Sequence, residues 1–405
     1  MDLKPGYQQT ELGVIPEDWE VHELGELRPF VTSGSRGWAD YYSQYGDLFV
    51  RITNLTRESI YLDLADCKFV KLPQNNSEGV RTQLCNNDVL ISITADIGTI
   101  GYIDDNVPKP AYINQHIALV RLDPEVANAR FVSYYLASVE PQKKFQASTD
   151  TGAKAGMSLA GVQKIKTLLP PTIEQSAIAN ALSDVDALLA VQDALIEKKR
   201  AITQGAMQEL LTGNRRLPGF CGEWTVRSLL DSAHCLDNLR VPLNEAQRAA
   251  MQGDYPYCGA NGVLDYVNDF VVDDDIILIA EDGGYFDEYE TRPIAYRMRG
   301  KCWINNHAHI LKSKVGFDQD FLFYSLVHKN ILPFLASGTR AKLNKSELFK
   351  IEVAFPPTKE EQTAIADVLG DLDGEITMLE TKRAKTALLK QGMMQELLTG
   401  KTRLA

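Results

Sequence analysis

Apolar residues in two stretches of the chain recur every three or four positions. They fall at Ile178, Leu182, Val185 and Leu189 in the first stretch and at Ile365, Leu369, Leu372 and Ile376 in the second. That spacing gathers them on one face of a helix and predicts a coiled-coil seam. The alternative is that each stripe packs on its neighbouring domain. Both helices carry the same punctuation. A Pro-Pro pair precedes Thr172 with Gln175 three residues on, and another precedes Thr358 with Glu361 three residues on, the pattern of a capping box. Gly213 and Gly400 stand where helices end. Each stretch is about 40 residues, which at 1.5 Å per residue makes a rod of roughly 55 to 60 Å.

The two stretches are copies. Gln175 to Gly213 and Gln362 to Gly400 align without a gap at an offset of 187, ending in QGAMQELLTG and QGMMQELLTG. Gly205 and Gly392 sit inside both helices, where each costs about 1 kcal/mol relative to alanine; close backbone approach or a local kink are the two readings. The segments before each helix match more loosely: PEDWEVHELGEL with GEWTVRSLLDSA, YINQHIALV with WINNHAHIL, and AGMSLAGVQKIKTLLPPT with AKLNKSELFKIEVAFPPT.

Within those segments short apolar runs such as DVLISIT and DIILIAE are broken by Gly, Asn and Asp turns, which read as strands. More helical stretches, FVSYYLASVEPQKKF and FLFYSLVHKNILPFL, follow. The expectation is an α+β chain: a domain at 1–168, a helical spacer at 169–213, a second domain at 214–354 and a second spacer at 355–405. The spacers pack as an antiparallel coiled coil about a pseudo-two-fold axis.

Composition narrows the class. With 44% hydrophobic and 24% charged residues, the chain is globular. It has no apolar run of the roughly 20 residues that cross a bilayer and no secretion signal at its start, so a cytoplasmic protein without membrane attachment is expected. Six cysteines form no CxxC pair and no metal-ligand spacing, which predicts reduced thiols and no metal site. The formal net charge is −12, and no segment is a basic domain: 1–168 carries 16 basic and 21 acidic groups, 214–354 carries 16 and 19. Nucleic-acid binding, which rewards phosphate neutralisation, would have to use local patches and partner chains.

Catalytic signatures are missing. LPPT and FPPT have the double proline of an adenine methyltransferase motif but neither the preceding Asn or Asp nor the following aromatic. There is no phosphate loop for a nucleotide. Asp273, Asp274 and Asp275 read as a solvated turn at a strand start, and His116 and His307, in the paired INQH and INNH, as shared hydrogen-bonding positions with DNA contact as the second reading. No catalytic residue and no cofactor are expected.

Two variable domains, each followed by a near-identical long helix that PPTIEQ (from Pro170) or PPTKEEQ (from Pro356) introduces, resemble the specificity subunits of type I restriction-modification enzymes. The resemblance covers essentially the whole chain and is most specific in the helices. It implies a non-catalytic protein that reads a bipartite double-stranded DNA site with two target-recognition domains. It also implies two methyltransferase subunits and nuclease/translocase subunits as partners. Half-sites on one face of B-DNA lie roughly 34 Å apart, a distance that a helical spacer can set. The rivals are a single-chain nuclease or methyltransferase, against which the missing motifs count, and a coiled-coil adaptor whose end domains bind proteins.

Base readers are Arg, Lys, Asn, Gln, Ser or Thr on polar loops. The Gly-rich loops offer Ser35, Arg36, Arg51, Asn54 and Lys154 in the first domain. In the second they offer Arg240, Tyr257, Asn261, Arg340 and Lys342. The repeated helix ends offer Gly205, Met207, Gln208, Gly392, Met394 and Gln395 as partner-binding positions.

Overall fold

The computed structural model describes residues 5–73, 77–150, 156–336 and 341–404. The chain divides into two compact units, Met1–Asp193 with Thr381–Ala405, and Ala194–Glu380.

In unit 1 the strands are β1 (Phe30–Ser33), β2 (Asp47–Val50), β3 (Val89–Ser92), β4 (Ile100–Tyr102), β5 (Ala111–Ile113) and β6 (Ile117–Arg121). With the short strands Tyr42–Ser43 and Lys68–Val70 they form two four-stranded sheets: β1-β6-β3-β4, antiparallel throughout, and a second in which β5 runs parallel to β2. Helix α1 (Ala129–Ala137) covers the first sheet, and α2 (Thr172–Leu210) leaves the unit. Unit 2 holds β7 (Ala233–Cys235), β8 (Gln252–Gly259), β9 (Gly262–Val267), β10 (Val272–Ala280), β11 (Ala295–Ile304) and β12 (Ala308–Ser313). These make one six-stranded sheet, β7-β12-β10-β11-β8-β9. Helix α3 (Gln319–Val327) covers it and α4 (Lys359–Leu397) follows.

The two units differ in how their strands are joined into sheets. In unit 2 the ten-residue β11 pairs with β10 along most of its length and with β8 at its end, welding the sheet into one. In unit 1 the equivalent strand is cut into β4 and β5 by Asp104–Pro110, which holds two prolines. A proline has no N–H for a sheet ladder.

The long helices are each 39 residues, at the same offset of 187 as the sequence repeat. Their apolar stripes do two jobs. Ile178 and Leu182 are fully buried in the core of unit 1 with Trp19, Phe131 and Tyr134. Ile365 and Leu369 are fully buried in that of unit 2 with Phe321 and Phe355. Each such side chain contributes roughly 1.5–3 kcal/mol of burial. The first half of each stripe is therefore domain core, and only Val185, Leu189, Leu372 and Ile376 remain half-buried.

Helix pairing within each unit is largely polar and runs antiparallel. In unit 1 Asp186 meets Lys390 at 2.6 Å, Asp193 meets Arg383 at 2.9 Å, and the buried Gln192 donates to Thr386 at 3.2 Å. In unit 2 Lys199 pairs with Glu375 and Arg200 with Glu380. A buried glutamine in a seam exchanges stability for register.

The stitches from each α/β portion to its long helix are repeated. Asn128 caps α1 by accepting from Phe131 N at 3.0 Å, and its own N–H donates to Gln175 Oε1 at 2.8 Å. Asp318 caps α3 by accepting from Phe321 N at 2.9 Å and donates its N–H to Gln362 Oε1 at 2.8 Å. Neither expected capping box is complete: at the first helix Gln175 N donates to the Pro171 carbonyl oxygen at 3.0 Å, and the second box is half made. Glu361 N donates to Thr358 Oγ1 at 3.3 Å, but the Glu361 side chain turns to Arg216 and the Gln175 side chain to Asn128 and Pro170.

The expected close backbone approach at Gly205 and Gly392 is corrected: a Cβ on either meets nothing within 4 Å. With open space and helical backbone, Gly205→Ala and Gly392→Ala each raise stability by about 1 kcal/mol. Thermal unfolding of the chain alone reads this; a loss at either site means the glycine conformation is required.

Candidate nucleic-acid interface

Three of the five residues expected to face DNA in unit 2, Arg240, Asn261 and Lys342, gather round one segment, Glu281–Gly283, where β10 ends. Glu281 is 9% exposed and sits between Arg240, whose guanidinium reaches its Oε2, and Lys342, whose Nζ is 2.8 Å from its Oε1. Arg240 also bonds the Ala308 carbonyl oxygen at 3.3 Å. Asn261, at the β8–β9 turn, donates from Nδ2 to the Gly283 carbonyl oxygen at 2.9 Å. Burial raises the proton affinity of the Glu281 carboxyl, but hydrogen bonds from Lys342 and Arg240 outweigh it and hold the group below its ordinary range.

Beside this segment lies the INNH turn. Asn305 Oδ1 accepts from His307 N at 2.8 Å, and the His307 carbonyl oxygen accepts from Glu281 N at 2.8 Å. His307 Nδ1 stands 2.6 Å from Asp282 Oδ1. Unit 1 builds the same turn. Asn114 Oδ1 accepts from His116 N at 3.1 Å, the His116 carbonyl oxygen accepts from Ile93 N at 2.9 Å, and Nδ1 is 2.5 Å from Thr94 Oγ1. Gly34 packs so tightly on Asn114 that a Cβ would lie 2.3 Å from its carbonyl carbon, which brings the Ser35–Arg36 loop to the turn.

Not every expected residue is available. Arg36 is exposed with no ion pair among the described residues, whereas Ser35 accepts from Arg81 Nη2 at 2.9 Å. Arg51 is paired with Asp66 at 2.9 Å. Asn54 and Tyr257 have interior roles instead of the DNA-facing ones expected. Asn54 is 2% exposed, accepts from Arg51 N, and donates to Asp63 O and Asp66 O at 2.9 and 3.0 Å. Tyr257 is also 2% exposed, and its hydroxyl accepts from Leu243 N at 3.0 Å. Lys154 and Arg340 lie outside the described residues. Sequence reasoning missed Arg81, which pins the Ser33–Ser35 loop, and Asp282; only the paired INQH and INNH pointed to this turn.

Cys235, Asp237 and His309 place one ligand atom each within 4.8 Å of one another. Their hydrogen bonds are already made: His309 Nδ1 to Asp237 at 2.7 Å, His309 Nε2 to the Leu343 carbonyl oxygen at 2.8 Å, and Arg240 on the same Asp237 carboxylate at 3.4 Å. The group braces the floor of the loop cluster. Burial pushes the Cys235 thiol up to about 12. Burial also opposes the charge on Asp237, yet the bonds from His309, Ile310 N and Cys235 bring its carboxyl from 3.8 down to about 2. A folded pKa below the unfolded one stabilises fully above the unfolded value, and the gain of about 2 kcal/mol is lost as pH falls toward 2. In urea titrations the gap between the wild-type chain and Asp237→Asn is expected to be widest above about pH 5 and to close as pH falls through the carboxylate range. A gap independent of pH refutes the assignment.

The repeated helix ends line one groove in each unit. In unit 1 it measures about 980 Å³ and includes Gln391, Met394 and Gln395 of α4 with Leu189 of α2. In unit 2 it measures about 760 Å³ and includes Gln204, Met207 and Gln208 of α2 with Ile376 of α4. The expected partner-binding residues Met207, Gln208, Met394 and Gln395 thus recur at matching places, with Gly205 and Gly392 exposed beside them. Among the described residues no helix is long and apolar enough to cross a membrane.

Comparison with known proteins bears on this arrangement. The family described as type I restriction modification DNA specificity domain matches twice, over residues 16–198 and 222–388. A putative type I restriction enzyme specificity subunit from Haemophilus influenzae is 36% identical over 156 residues, 38% of each chain. The putative type I restriction enzyme MjaX specificity subunit from Methanocaldococcus jannaschii is 25% identical over 98% of this chain and 96% of its own. In fold the chain is similar to the type-I restriction-modification S subunit from M. genitalium, with a TM-score of 0.64, 15% identity and 98% of both chains covered. With the family matching both halves, the chain belongs to the type I restriction-modification specificity subunits, a family of DNA-recognition proteins that are not themselves catalysts.

Proposed function

We infer that this chain reads a bipartite double-stranded DNA site, one half with 1–168 and the other with 214–354. The segments 169–213 and 355–405 set the gap. One observation carries the reading: both units present the same asparagine-fixed histidine turn at a loop cluster, in two chemical versions. That of unit 1 is ringed by Thr94, Gln115 and Ser35, that of unit 2 by Arg240, Glu281, Asp282 and Lys342. Two such surfaces suit two different half-sites. Arg36, Lys342, Asn261 and Arg240 are the described residues best placed to meet DNA; Lys154 and Arg340, outside the described residues, are proposed to join them. Two methyltransferase subunits dock on the repeated grooves through Met207, Gln208, Met394 and Gln395, nuclease/translocase subunits join them, and the complex works in the cytoplasm. Partner chains supply much of the phosphate contact, which reconciles an acidic reader with DNA.

The test is co-purification with the methyltransferase partner, followed by mapping of the methylated bases. The expected outcome is a gapped motif with two dissimilar halves; a continuous motif, or none, refutes the reading. Met207→Glu with Met394→Glu puts a charge in each groove and is expected to weaken assembly about 30-fold or more, as loss of an interface hot spot does. Undiminished assembly removes the grooves from the interface.

A further inference from the structure

We propose that His307 reads one base position of the unit 2 half-site, with Asp282 holding its ring. This rests on the DNA-reading function inferred above and names the atom that does it. The turn is fixed on both sides, by Asn305 Oδ1 on the His307 N–H and by Glu281 N on its carbonyl oxygen. Asn305, 4% exposed, is itself tied down by donating its N–H to the Cys258 carbonyl oxygen at 3.0 Å. The ring is fixed as well. A carboxylate oxygen only accepts, so Asp282 Oδ1 at 2.6 Å puts the hydrogen on Nδ1 and sets the ring plane.

Nε2 is then the atom offered outward. The side chain is 45% exposed, and Nε2 has no hydrogen-bond partner among the described residues. Reading a base edge requires a hydrogen-bonding atom held in a defined place, and a short side chain fixed in both backbone and ring meets that requirement. Lys342, paired with Glu281 on the same segment, supplies the neighbouring cation.

Unit 1 shows what the same turn looks like when its ring is closed off. His116 has Thr94 Oγ1 on Nδ1 and Gln115 Nε2 at 3.0 Å from Nε2. Both ring nitrogens of His116 are spent on neighbours, while one of His307 is kept for something else.

The experiment uses the complex with its methyltransferase partner and compares wild type, His307→Ala, His307→Gln, Asp282→Asn and Asp282→Ala. Methylated motifs are mapped, and affinity for the wild-type site is measured. His307→Ala is expected to relax one base position in one half of the motif and to lower affinity about tenfold, the scale of one lost base-edge hydrogen bond. The other half stays as it was. Asp282→Ala is expected to relax the same position, and Asp282→Asn, which still accepts from Nδ1, to restore it. His307→Gln keeps a polar side chain of similar length and guards against misfolding: it folds like wild type and shifts preference at that position. An unchanged motif with affinity within twofold for both His307 variants overturns the proposal. If the wild-type complex itself gives no gapped motif, the DNA-reading function fails instead, which is a separate result.

Discussion

Exchanging Arg216 for methionine is expected to cost unit 2 about 3–5 kcal/mol, because it strands a buried charge. Glu361 begins the buried face of α4, and its side chain is 1% exposed. Arg216 grips it with two bonds, Nε to Oε1 at 2.5 Å and Nη2 to Oε2 at 2.7 Å, and donates a third to the Gly222 carbonyl oxygen at 2.7 Å. Removing both charges is far milder than removing one, since an ion pair desolvated on both sides roughly breaks even against apolar packing. Arg216→Met with Glu361→Leu should therefore unfold in urea within about 1 kcal/mol of wild type, while Arg216→Met alone unfolds much earlier. A single variant as stable as wild type would show that Glu361 finds another partner.

Lys390→Met carries the second large effect, in unit 1. Lys390 and Asp186 are each 10% exposed, with Nζ 2.6 Å from Oδ1. Asp186 Oδ2 also accepts from the Tyr134 hydroxyl at 2.6 Å. Burial first and the Asp186 carboxylate second push that hydroxyl far above its ordinary range, so it keeps its proton and can donate. Methionine preserves the apolar stem but leaves the carboxylate one partner, at an expected cost of about 3–5 kcal/mol. The comparison is Arg200→Met in unit 2, whose pair with Glu380 is half-exposed and contributes at most about 1 kcal/mol. Equal losses at the two sites in urea unfolding would mean that burial does not decide the strength of these pairs.

The long helices could be read residue by residue, because a repeat without gaps carries period, start and end together. Their partners could not. Which side of a stripe faces a domain and which faces a helix depends on strands far away in sequence, so Ile178 and Leu182 read as seam and proved to be core. The ties of Glu174 to Arg403 and Glu361 to Arg216 had a signal, for Arg-Leu follows both helices at the offset of 187. The loops were the hardest to read. Asn54 and Arg36 both stand on polar turns, yet one amide is spent inside the protein and the other side chain is exposed; composition does not say which way a loop side chain points. The turn at His307 was visible only as a match to His116, and the carboxylate that distinguishes it, Asp282, lies on another strand end.

Glu174 of unit 1 is held by Arg403 at 2.7 Å and by Leu404 N at 3.2 Å, and Lys390 comes from the same late stretch of chain. The order of synthesis thus differs from the order of completion. A ribosome that has finished the first reader must still make the whole of Ala194–Glu380 before the residues that neutralise Glu174 and Asp186 exist, a delay of roughly 10 to 40 s at about 5–20 residues per second. Through that interval the first reader carries two uncompensated carboxylates and an open apolar flank, while the second can close on itself at once. A nascent chain that stalls in this window is a substrate for chaperones and proteases, and the DNA-reading half made first is the half that matures last.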